Sequence, residues 1–359
     1  MNNSQKYYAY IGTYASKAEQ GIYIYTLDSA TGELTPIGGV SGIENPSFLT
    51  ISADGGYLYA VGETETFQGQ QGGSSAAFAI DAGSGHLTLL NQQPTTGADP
   101  CYLSIDRAGS SLLVANYSGG SIALFPVRDN GEIGNLAQRI QHLGKGVRPD
   151  RQEAPHPHEI LPDASGAYVF VPDLGLDKIF TYRLDTASHT LTLYRETALP
   201  AGSGPRHLAF HPSEKYAYLI TELASTIVAF SYDVTQASFS PLQTVSTLPD
   251  DFTGESTAAE IQIAPSGKFL YASNRGHDSI VVYSIEQGTG RLTYVEHVPM
   301  QGKTPRYFTL APGGRFLFAA NQDSASIITY AVDESTGRLT PTGQPLSVPR
   351  PVCITWRSA

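Results

Sequence analysis

The sequence predicts an all-β protein, a seven-bladed β-propeller with four antiparallel strands in each blade, and three observations support this. A turn motif built on an acidic residue recurs seven times, about fifty residues apart. Short apolar stretches separated by Gly, Asp and Ser fill each repeat. The chain begins and ends with complementary parts of one repeat. Four short strands repeated at this period are typical of propeller blades.

The recurring motif is an acidic residue followed by a short turn and a strand that often reads G-x-L-T. Acidic residues at such positions accept hydrogen bonds from nearby backbone amides, so we interpret them as turn formers and not as catalytic groups. The seven copies start at Asp28, Asp81, Asp129, Asp185, Asp233, Glu286 and Asp333.

The sixth repeat illustrates one blade. Its predicted strands are AAEIQIAP, GKFLYASN, SIVVYSIE and RLTYVEHV, with turn residues between them. The chain itself begins with a second strand, YYAYIGT, and ends with an isolated first strand, PVCITW. The first blade is therefore expected to be closed by both termini, which removes exposed sheet edges. We expect residues 1–359 to form a single domain.

Composition narrows the function. A net charge of −11 disfavours nucleic acid or an anionic membrane as a partner. The only cysteines, Cys101 and Cys353, match no metal spacing and are consistent with a reducing compartment. The N-terminus, MNNSQKYYAY, lacks the pattern of a signal peptide, and no apolar run approaches membrane-spanning length. We expect a cytoplasmic protein.

Alignment of the repeats separates shared positions from exceptions. The start of the innermost predicted strand reads Ser47, Cys101, His158, Arg206, Ala259, Arg306 and Val352 across the blades. The exit of the second strand reads Tyr14, Glu63, Tyr117, Leu174, Glu222, Arg275 and Gln322, and the position before it reads Thr13, Gly62, Asn116, Asp173, Thr221, Asn274 and Asn321. In antiparallel blades these positions share one end, so their side chains are expected to open on one face.

Four of these residues are the candidate catalytic group, namely His158, Arg206, Glu222 and Arg275. They come from three consecutive blades, and a histidine, a carboxylate and two cations that converge fit a hydrolytic site for an anion. Each also has a structural explanation, because prolines and polar residues shape loops and acidic residues bond loop amides. Their shared face favours the functional interpretation.

Further candidates follow from the same rows. His156 is two residues from His158 and could support or replace it, Arg306 is a candidate phosphate contact, and Asn116 and Asn274 are candidate substrate contacts. We interpret the remaining histidines of this region as structural. No recurring set of histidines and carboxylates indicates a metal site, and no GxSxG, P-loop or GxGxxG motif occurs in a suitable context.

The chain resembles the propeller-type lactonase family over nearly its whole length. The resemblance rests on the segments QEAPHPHE, VPDLGLDKI, GPRHLAFHP, TELASTIVAFSYD, QTVSTLPDDFTGESTAAEI, YASNRGHDSI and GKTPRYFTLAPGGRFLFAANQDS. It implies hydrolysis of 6-phospho-D-glucono-1,5-lactone, a small anionic sugar lactone, to 6-phosphogluconate in the pentose phosphate pathway. The active-site residues proposed for the family fall on His158, Arg206, Glu222 and Arg275.

The expected mechanism uses no metal and no cofactor. Glu222 or His158 activates water as a general base, and Arg275 and Arg206 hold the developing oxyanion and the negative charge of the substrate. A protonated His158 could donate to the ring oxygen as the ester opens. Two alternatives remain open: a cycloisomerase or lactonase acting on a carboxylated, muconate-type lactone, and a propeller that binds a ligand without catalysis.

Overall fold

A computed structural model describes residues 6–359. Residues 1–5, part of the segment in which no signal peptide is predicted, lie outside the described residues. The described chain consists of thirty strands and the turns and loops between them, with no helix among residues 6–359. Accordingly, this part of the chain contains no helix long and apolar enough to cross a membrane.

The strands are numbered in chain order. The first ten are β1 (Tyr7–Thr13), β2 (Gln20–Leu27), β3 (Leu34–Ser41), β4 (Leu49–Ile51), β5 (Tyr57–Gly62), β6 (Thr66–Phe67), β7 (Gln70–Gln71), β8 (Ser74–Ile80), β9 (Leu87–Pro94) and β10 (Pro100–Ile105). The next ten are β11 (Ser111–Asn116), β12 (Ser121–Pro126), β13 (Gln138–Gln141), β14 (Leu161–Pro162), β15 (Tyr168–Asp173), β16 (Lys178–Asp185), β17 (Thr190–Ala198), β18 (Pro205–Phe210), β19 (Tyr216–Thr221) and β20 (Thr226–Asp233). The last ten are β21 (Ser238–Ser246), β22 (Thr257–Ile263), β23 (Phe269–Arg275), β24 (Ser279–Ile285), β25 (Leu292–Pro299), β26 (Pro305–Leu310), β27 (Phe316–Asn321), β28 (Ser326–Val332), β29 (Leu339–Ser347) and β30 (Pro351–Ser358).

Seven four-stranded sheets contain all but two of these strands, and each sheet is one predicted blade. Blade 1 has the order β3-β2-β1-β30, blade 2 has β4-β5-β8-β9, and blades 3 to 7 take four consecutive strands each, from β10 to β29. The remaining strands, β6 and β7, form a short hairpin inserted in blade 2. The repeat pattern did not predict this hairpin.

Blade 1 is closed by both termini, as the sequence predicts. Strand β30 lies next to β1, and the N–H of Ala359 donates to the carbonyl of Lys6 at 2.9 Å. Four residues at the start of β30 are buried, namely Pro351, Val352, Cys353 and Ile354. The last strand therefore supplies core as well as backbone pairing.

The acidic residues of the repeat are turn formers, in agreement with the sequence. Asp81, for example, accepts the N–H groups of Gly83 and Ser84 at 3.2 and 2.7 Å. The hydrogen bond from the Ser84 hydroxyl, followed by those from the backbone, holds the pKa of Asp81 below its ordinary value. Such a carboxylate replaces backbone partners inside a tight turn.

The glycine of the same turn ties neighbouring blades together. The hydroxyl of Tyr218 in blade 5 donates to the carbonyl of Gly290 in blade 6 at 2.8 Å. Gly290 has a φ of 70°, and a Cβ there would lie 2.3 Å from the ring of Tyr216. Glycine is required by both the backbone and the packing. Tyr10, Tyr59 and Tyr271 make the same contact with Gly85, Gly131 and Gly337.

The strands group into two compact units. The first comprises the chain up to Leu176 with Phe180–Glu196 and Val352–Ala359, and the second comprises Asp177–Ile179 and Thr197–Pro351. Within the second unit, apolar clusters join blades 5 and 6 and blades 6 and 7. Within the first, similar clusters join blades 2 and 3 and blades 3 and 4. The expectation of a single domain stays a prediction.

We expect that deleting residues from Val352 onward will unfold the protein or make it aggregate. The loss of three buried apolar side chains removes about 5 kcal/mol, which approaches the whole stability of an ordinary domain. A permuted chain that carries 351–359 directly before Lys6 is the control, because it restores the strand through a short hairpin. A truncated protein that stays soluble and melts like the full-length chain would contradict this account.

Candidate functional site

One backbone hydrogen bond recurs in five blades and confirms the alignment of the repeats. In each of these blades the aligned residue at the exit of the second strand donates its N–H to a backbone carbonyl in the loop that leads into the first strand. This carbonyl lies two residues before the aligned residue of the first strand, and the bonds are 2.7–3.0 Å long. The donor and acceptor pairs are Glu63 and Asn45, Tyr117 and Asp99, Leu174 and His156, Glu222 and Gly204, and Gln322 and Thr304. The aligned residues therefore occupy equivalent positions in their blades.

A β-bulge opens the first strand of three blades, and its extra residue is the one that the alignment singles out. In blade 5 the pairing of β18 with β19 shifts by one residue at Arg206. The same shift occurs at Cys101 in blade 3 and at Arg306 in blade 7. A bulge redirects its side chain out of the regular alternation of a strand. It thus allows a charged side chain at the start of an otherwise buried strand.

The sequence before each bulge explains its position. A proline opens the strand, and the residue before it has a left-handed φ of 51° at Asp99, 64° at Gly204 and 57° at Thr304. Proline cannot donate to the ladder, and a left-handed conformation is costly for threonine. Carboxylates hold two of these segments, because Asp177 accepts the N–H of Gly204 and Asp278 that of Thr304, both at 2.8 Å.

Three of the four predicted catalytic residues meet in the second unit. Glu222 Oε2 lies 3.2 Å from Arg206 Nε and 2.7 Å from Arg275 Nη2. The Arg206 and Glu222 side chains are 3% and 4% exposed, whereas that of Arg275 is 14% exposed. Arg275 is therefore the member of this cluster that is most accessible to a ligand.

The cluster carries more positive than negative charge. Burial, followed by repulsion from Arg275 and Arg306, lowers the pKa of Arg206 to about 10, while Glu222 and Glu260 oppose the shift. Arg206 is still protonated at neutral pH, and the effect of Arg306 on it shows that this third arginine is close. Two arginines contact Glu222 and a third repels Arg206, so the cluster favours an anion.

Alignment of the repeats missed Glu260, a buried carboxyl group beside this cluster. Glu260 Oε2 lies 2.9 Å from His207 Nδ1. The pairing of β22 with β23 shifts between Ala258 and Ile261, so Glu260 lies within the irregular start of its strand. Ala259 is the residue aligned with Arg206, and Glu260 is the next residue, at the position that His207 occupies in blade 5. His207 was interpreted as structural, and it contacts the cluster through Arg206 Nη1, at 3.3 Å from its Nδ1.

His207 Nδ1 lies 2.9 Å from Glu260 Oε2 and 3.3 Å from Arg206 Nη1. Glu260 is buried, and burial favours the protonated form of a carboxyl group. In agreement, burial raises the pKa of Glu260 to about 8, against the opposing charge of Arg206. Glu260 thus leaves the positive charge of the arginines uncompensated.

His158 lies in the first unit, beside the equivalent residue of the preceding blade. Its Nδ1 is 3.9 Å from Cys101 Sγ, and its ring makes an edge-on contact with Tyr117 at 5.4 Å between centroids. The side chain is buried, and Cys101 donates to the carbonyl of His158 at 3.5 Å. Its part in catalysis stays a prediction.

Both ring nitrogens of His156 face acceptors. Nδ1 is 3.1 Å from the carbonyl of Tyr117, and Nε2 is 3.2 Å from Glu153 Oε1. The ring also stacks on Tyr117 with centroids 4.5 Å apart. These contacts fix the orientation of His156 and account for it as a support of the loop that carries His158. Its role as a substrate contact stays a prediction.

Asn116 and Asn274 are completely buried and bind backbone. Asn116 Nδ2 donates to the carbonyl of Thr95 at 3.5 Å, and Asn274 Nδ2 donates to that of Thr247 at 2.6 Å. Asn321, to which we assigned no role, makes the same contact in blade 7. This hydrogen bond to a backbone carbonyl explains why asparagine recurs at the position. The predicted contacts of Asn116 and Asn274 with substrate stay predictions.

Glu63 occupies the position of Glu222 in blade 2 and has different partners. Its carboxylate accepts hydrogen bonds from the hydroxyls of Tyr14 and Ser47. Hydroxyl groups therefore contact the carboxylate at this position in blade 2, whereas Arg206 and Arg275 contact it in blade 5.

The family profile described as "Lactonase, 7-bladed beta-propeller" matches residues 8–356. The chain belongs to this family. The predicted propeller fold is confirmed, and the chain is a lactonase, an enzyme that hydrolyses cyclic esters.

Relatives of this lactonase have similar length. The 6-phosphogluconolactonase of Bacillus subtilis is 39% identical over 349 residues, which cover 97% of this chain and 98% of the relative. The 6-phosphogluconolactonase of Formosa agariphila is 35% identical over 84% of this chain and 85% of the relative. The structure of the periplasmic gluconolactonase of Pseudomonas aeruginosa is 34% identical, covers 99% of both chains and superimposes with a TM-score of 0.92.

Two further observations bear on the chemistry of the lactonase. Among residues 6–359, no group of three or more His, Cys, Asp or Glu side chains is arranged to hold a metal ion. Cys101 and Cys353 are both buried and unlinked. The expectation of a reaction without metal or cofactor stays a prediction.

We expect Glu260→Gln to gain stability relative to the wild type as the pH rises. Glu260 has a pKa of about 8 in the folded protein against 4.5 ordinarily, so its stabilising proton is fully held below pH 4.5 and lost as the pH rises through about 8. The glutamine variant does not titrate, so its melting temperature should rise relative to that of the wild type over this interval. Glu334→Gln, at an exposed turn, is the control. A constant difference across this range would contradict the assignment.

Proposed function

We propose that this lactonase hydrolyses 6-phospho-D-glucono-1,5-lactone to 6-phosphogluconate. The names of two curated relatives support this substrate. The observation that carries the proposal is the positive charge at Glu222, where Arg206 and Arg275 both contact one carboxylate and Arg306 repels Arg206. The chain as a whole has a net charge of −11, so this local excess needs an anionic ligand to explain it.

Arg275 is the proposed contact to the reacting carbonyl group. Its guanidinium is the most exposed of the cluster, and it is oriented by Glu222 and by the carbonyl of Ala258, to which Nη2 donates at 3.1 Å. A fixed, permanently charged donor stabilises the oxyanion that forms when water attacks a lactone. Because its partners already hold the side chain, little reorganisation is needed as the charge develops.

Glu222 is the proposed general base. It takes a proton from water as the water oxygen attacks C1 of the lactone. When the tetrahedral intermediate collapses, the C1–O5 bond breaks and Glu222 returns the proton to O5, which leaves a hydroxyl group and a carboxylic acid. The acid then loses its proton to solvent and becomes the carboxylate. Pairing with two cations lowers the basicity of Glu222, and stabilisation of the oxyanion by the same cations compensates.

Arg206 and Arg306 are assigned different tasks because their exposure differs. Arg206 is nearly inaccessible and acts as a positioning residue that holds Glu222 from the buried side. Arg306 is partly exposed and close enough to affect the pKa of Arg206. We assign the phosphate group to Arg306, since guanidinium binds phosphate well.

A second substrate has a specific observation in its favour. The periplasmic relative is named a gluconolactonase, which acts on a sugar lactone without phosphate. The proposed phosphate contact at Arg306 favours the phosphorylated lactone for this chain. A phosphorylated sugar does not cross membranes unaided, so the same proposal favours a cytoplasmic enzyme. The absence of a nucleic acid partner stays a prediction.

We expect Arg275→Ala and Arg306→Ala to separate the chemistry from the phosphate contact. Arg275→Ala should lower kcat/KM about a hundredfold for both 6-phosphogluconolactone and gluconolactone, because it removes about 3 kcal/mol of oxyanion stabilisation. Arg306→Ala should raise KM about tenfold for the phosphorylated lactone alone. The measurement is hydrolysis above the spontaneous background, at a temperature well below unfolding.

Arg291→Ala is the matched control, because Arg291 is an exposed arginine of the same unit beside the end of β24 opposite to Arg275. It should leave both reactions unchanged. Wild-type protein that hydrolyses gluconolactone at least as well as the phosphorylated lactone would refute the proposed substrate. A near-normal rate for folded Arg275→Ala would refute the proposed site.

A further inference from the structure

A cavity of about 550 Å³ lies in the second unit, formed by strands β21, β24 and β25 together with the connection 247–256. Leu248, Pro249 and Asp250 of this connection contribute to its wall, opposite Tyr283, Tyr294 and His297. The corresponding connections before β10, β26 and β30 are much shorter. The added length is therefore what builds the cavity, whose volume is typical of small-molecule sites.

Three rings form one side of the cavity. Tyr283 and Tyr294 are nearly perpendicular, with an angle of 75° and centroids 6.2 Å apart. Tyr294 and His297 are tilted by 38°, with centroids 5.2 Å apart. Tyr294 is 55% exposed, so its ring is open to a ligand.

The polar atoms of these rings are used within the wall. Tyr283 donates its hydroxyl hydrogen to the carbonyl of Ser246. Nε2 of His297 is 3.0 Å from the carbonyl of Thr247, so this nitrogen is the donor and Nδ1 accepts from the hydroxyl of Tyr294 at 3.1 Å. Burial lowers the pKa of His297, with a smaller contribution from His277, which keeps the ring neutral. The rings thus present their π-faces.

Asp250 supplies the charge of the cavity. Its side chain is exposed. Burial raises the pKa of Tyr283 to about 12, with smaller contributions from Tyr294 and Asp250, so the charge of Asp250 is felt at this ring. A carboxylate beside aromatic faces repels anions. A sugar would need several fixed hydrogen-bonding groups, yet the phenol and imidazole groups here are already hydrogen-bonded within the wall.

We propose that this cavity is a binding site for a small organic ammonium ion, held by the faces of Tyr283 and Tyr294 and by the carboxylate of Asp250. A cation is attracted to an aromatic face within about 6 Å of its centroid. The rings are nearly perpendicular with centroids 6.2 Å apart, so an ion in the corner formed by their two faces lies within range of both. The chain uses such a contact elsewhere, where the guanidinium of Arg183 lies 4.3 Å from the ring centroid of Tyr194.

The test is a titration of the full-length protein with choline, followed by ligand-observed NMR, beside a titration with its uncharged isostere 3,3-dimethylbutan-1-ol. We expect choline to bind and the alcohol to bind more weakly. Asp250→Asn, and Tyr294→Leu, which keeps apolar volume without a π-face, should each weaken choline binding about two- to fivefold. Asp251→Asn, a neighbouring acidic residue that does not line the cavity, should have no effect.

The variants change exposed residues outside the proposed catalytic cluster, so lactone hydrolysis and the melting temperature should remain those of the wild type. This separates the cavity from the proposed lactonase site, since either can fail without the other. The proposal is overturned if choline does not bind, if the alcohol binds equally well, or if Asp250→Asn and Tyr294→Leu both bind choline like the wild type.

Discussion

The extra residue at the start of the first strand is the constraint on which the proposed site depends. A regular strand alternates its side chains, and these strands are buried against their neighbours, so a charged residue there would have no suitable place. The shift in pairing at Arg206 and Arg306 releases one side chain in each strand from that alternation. A residue with left-handed backbone conformation and a proline precede each bulge, so the local sequence specifies this irregularity. The site thus arises where the repeat departs from ideal geometry.

The energetics of the cluster also favour a role in binding an anion over a role in folding. Burying Arg206 and Glu222 removes two charges from water, and such a pair often contributes nothing to stability compared with apolar residues of similar size. At the equivalent position in blade 2, Glu63 accepts hydrogen bonds from the hydroxyl groups of Tyr14 and Ser47. The arginines are therefore better explained by binding of an anion than by folding. Glu260 strengthens this explanation, because its protonated form leaves their charge intact.

The repeat allowed most of the fold to be predicted, because its signals are local. The acidic turns, the four strands of each blade and the closing strand at Pro351–Ser358 all follow from residues close in sequence. Equivalent positions could be aligned because the same backbone hydrogen bond fixes them in five blades. This alignment is what brought Arg206, Glu222 and Arg275 together in advance.

The parts that could not be predicted depend on local irregularity and on burial. Glu260 was missed because it follows the aligned residue Ala259, at the position of His207 in blade 5, which the aligned rows did not include. The scaffold contacts of Asn274 became apparent only once its backbone partner, Thr247, was placed. The cavity beside Tyr294 depends on the course of the connection 247–256, which lies outside the repeat.

The central claim is that the Arg206–Glu222–Arg275 cluster serves the reaction and not the fold. The most direct test is the triple variant Arg206→Met, Glu222→Leu, Arg275→Met, which replaces the whole cluster by apolar side chains of similar size and leaves no buried charge of the cluster unpaired. Its thermal unfolding and its lactone hydrolysis are measured together. We expect a melting temperature equal to or above that of the wild type and no hydrolysis above the spontaneous rate. A folded variant that retains activity, or one that fails to fold, would contradict the claim.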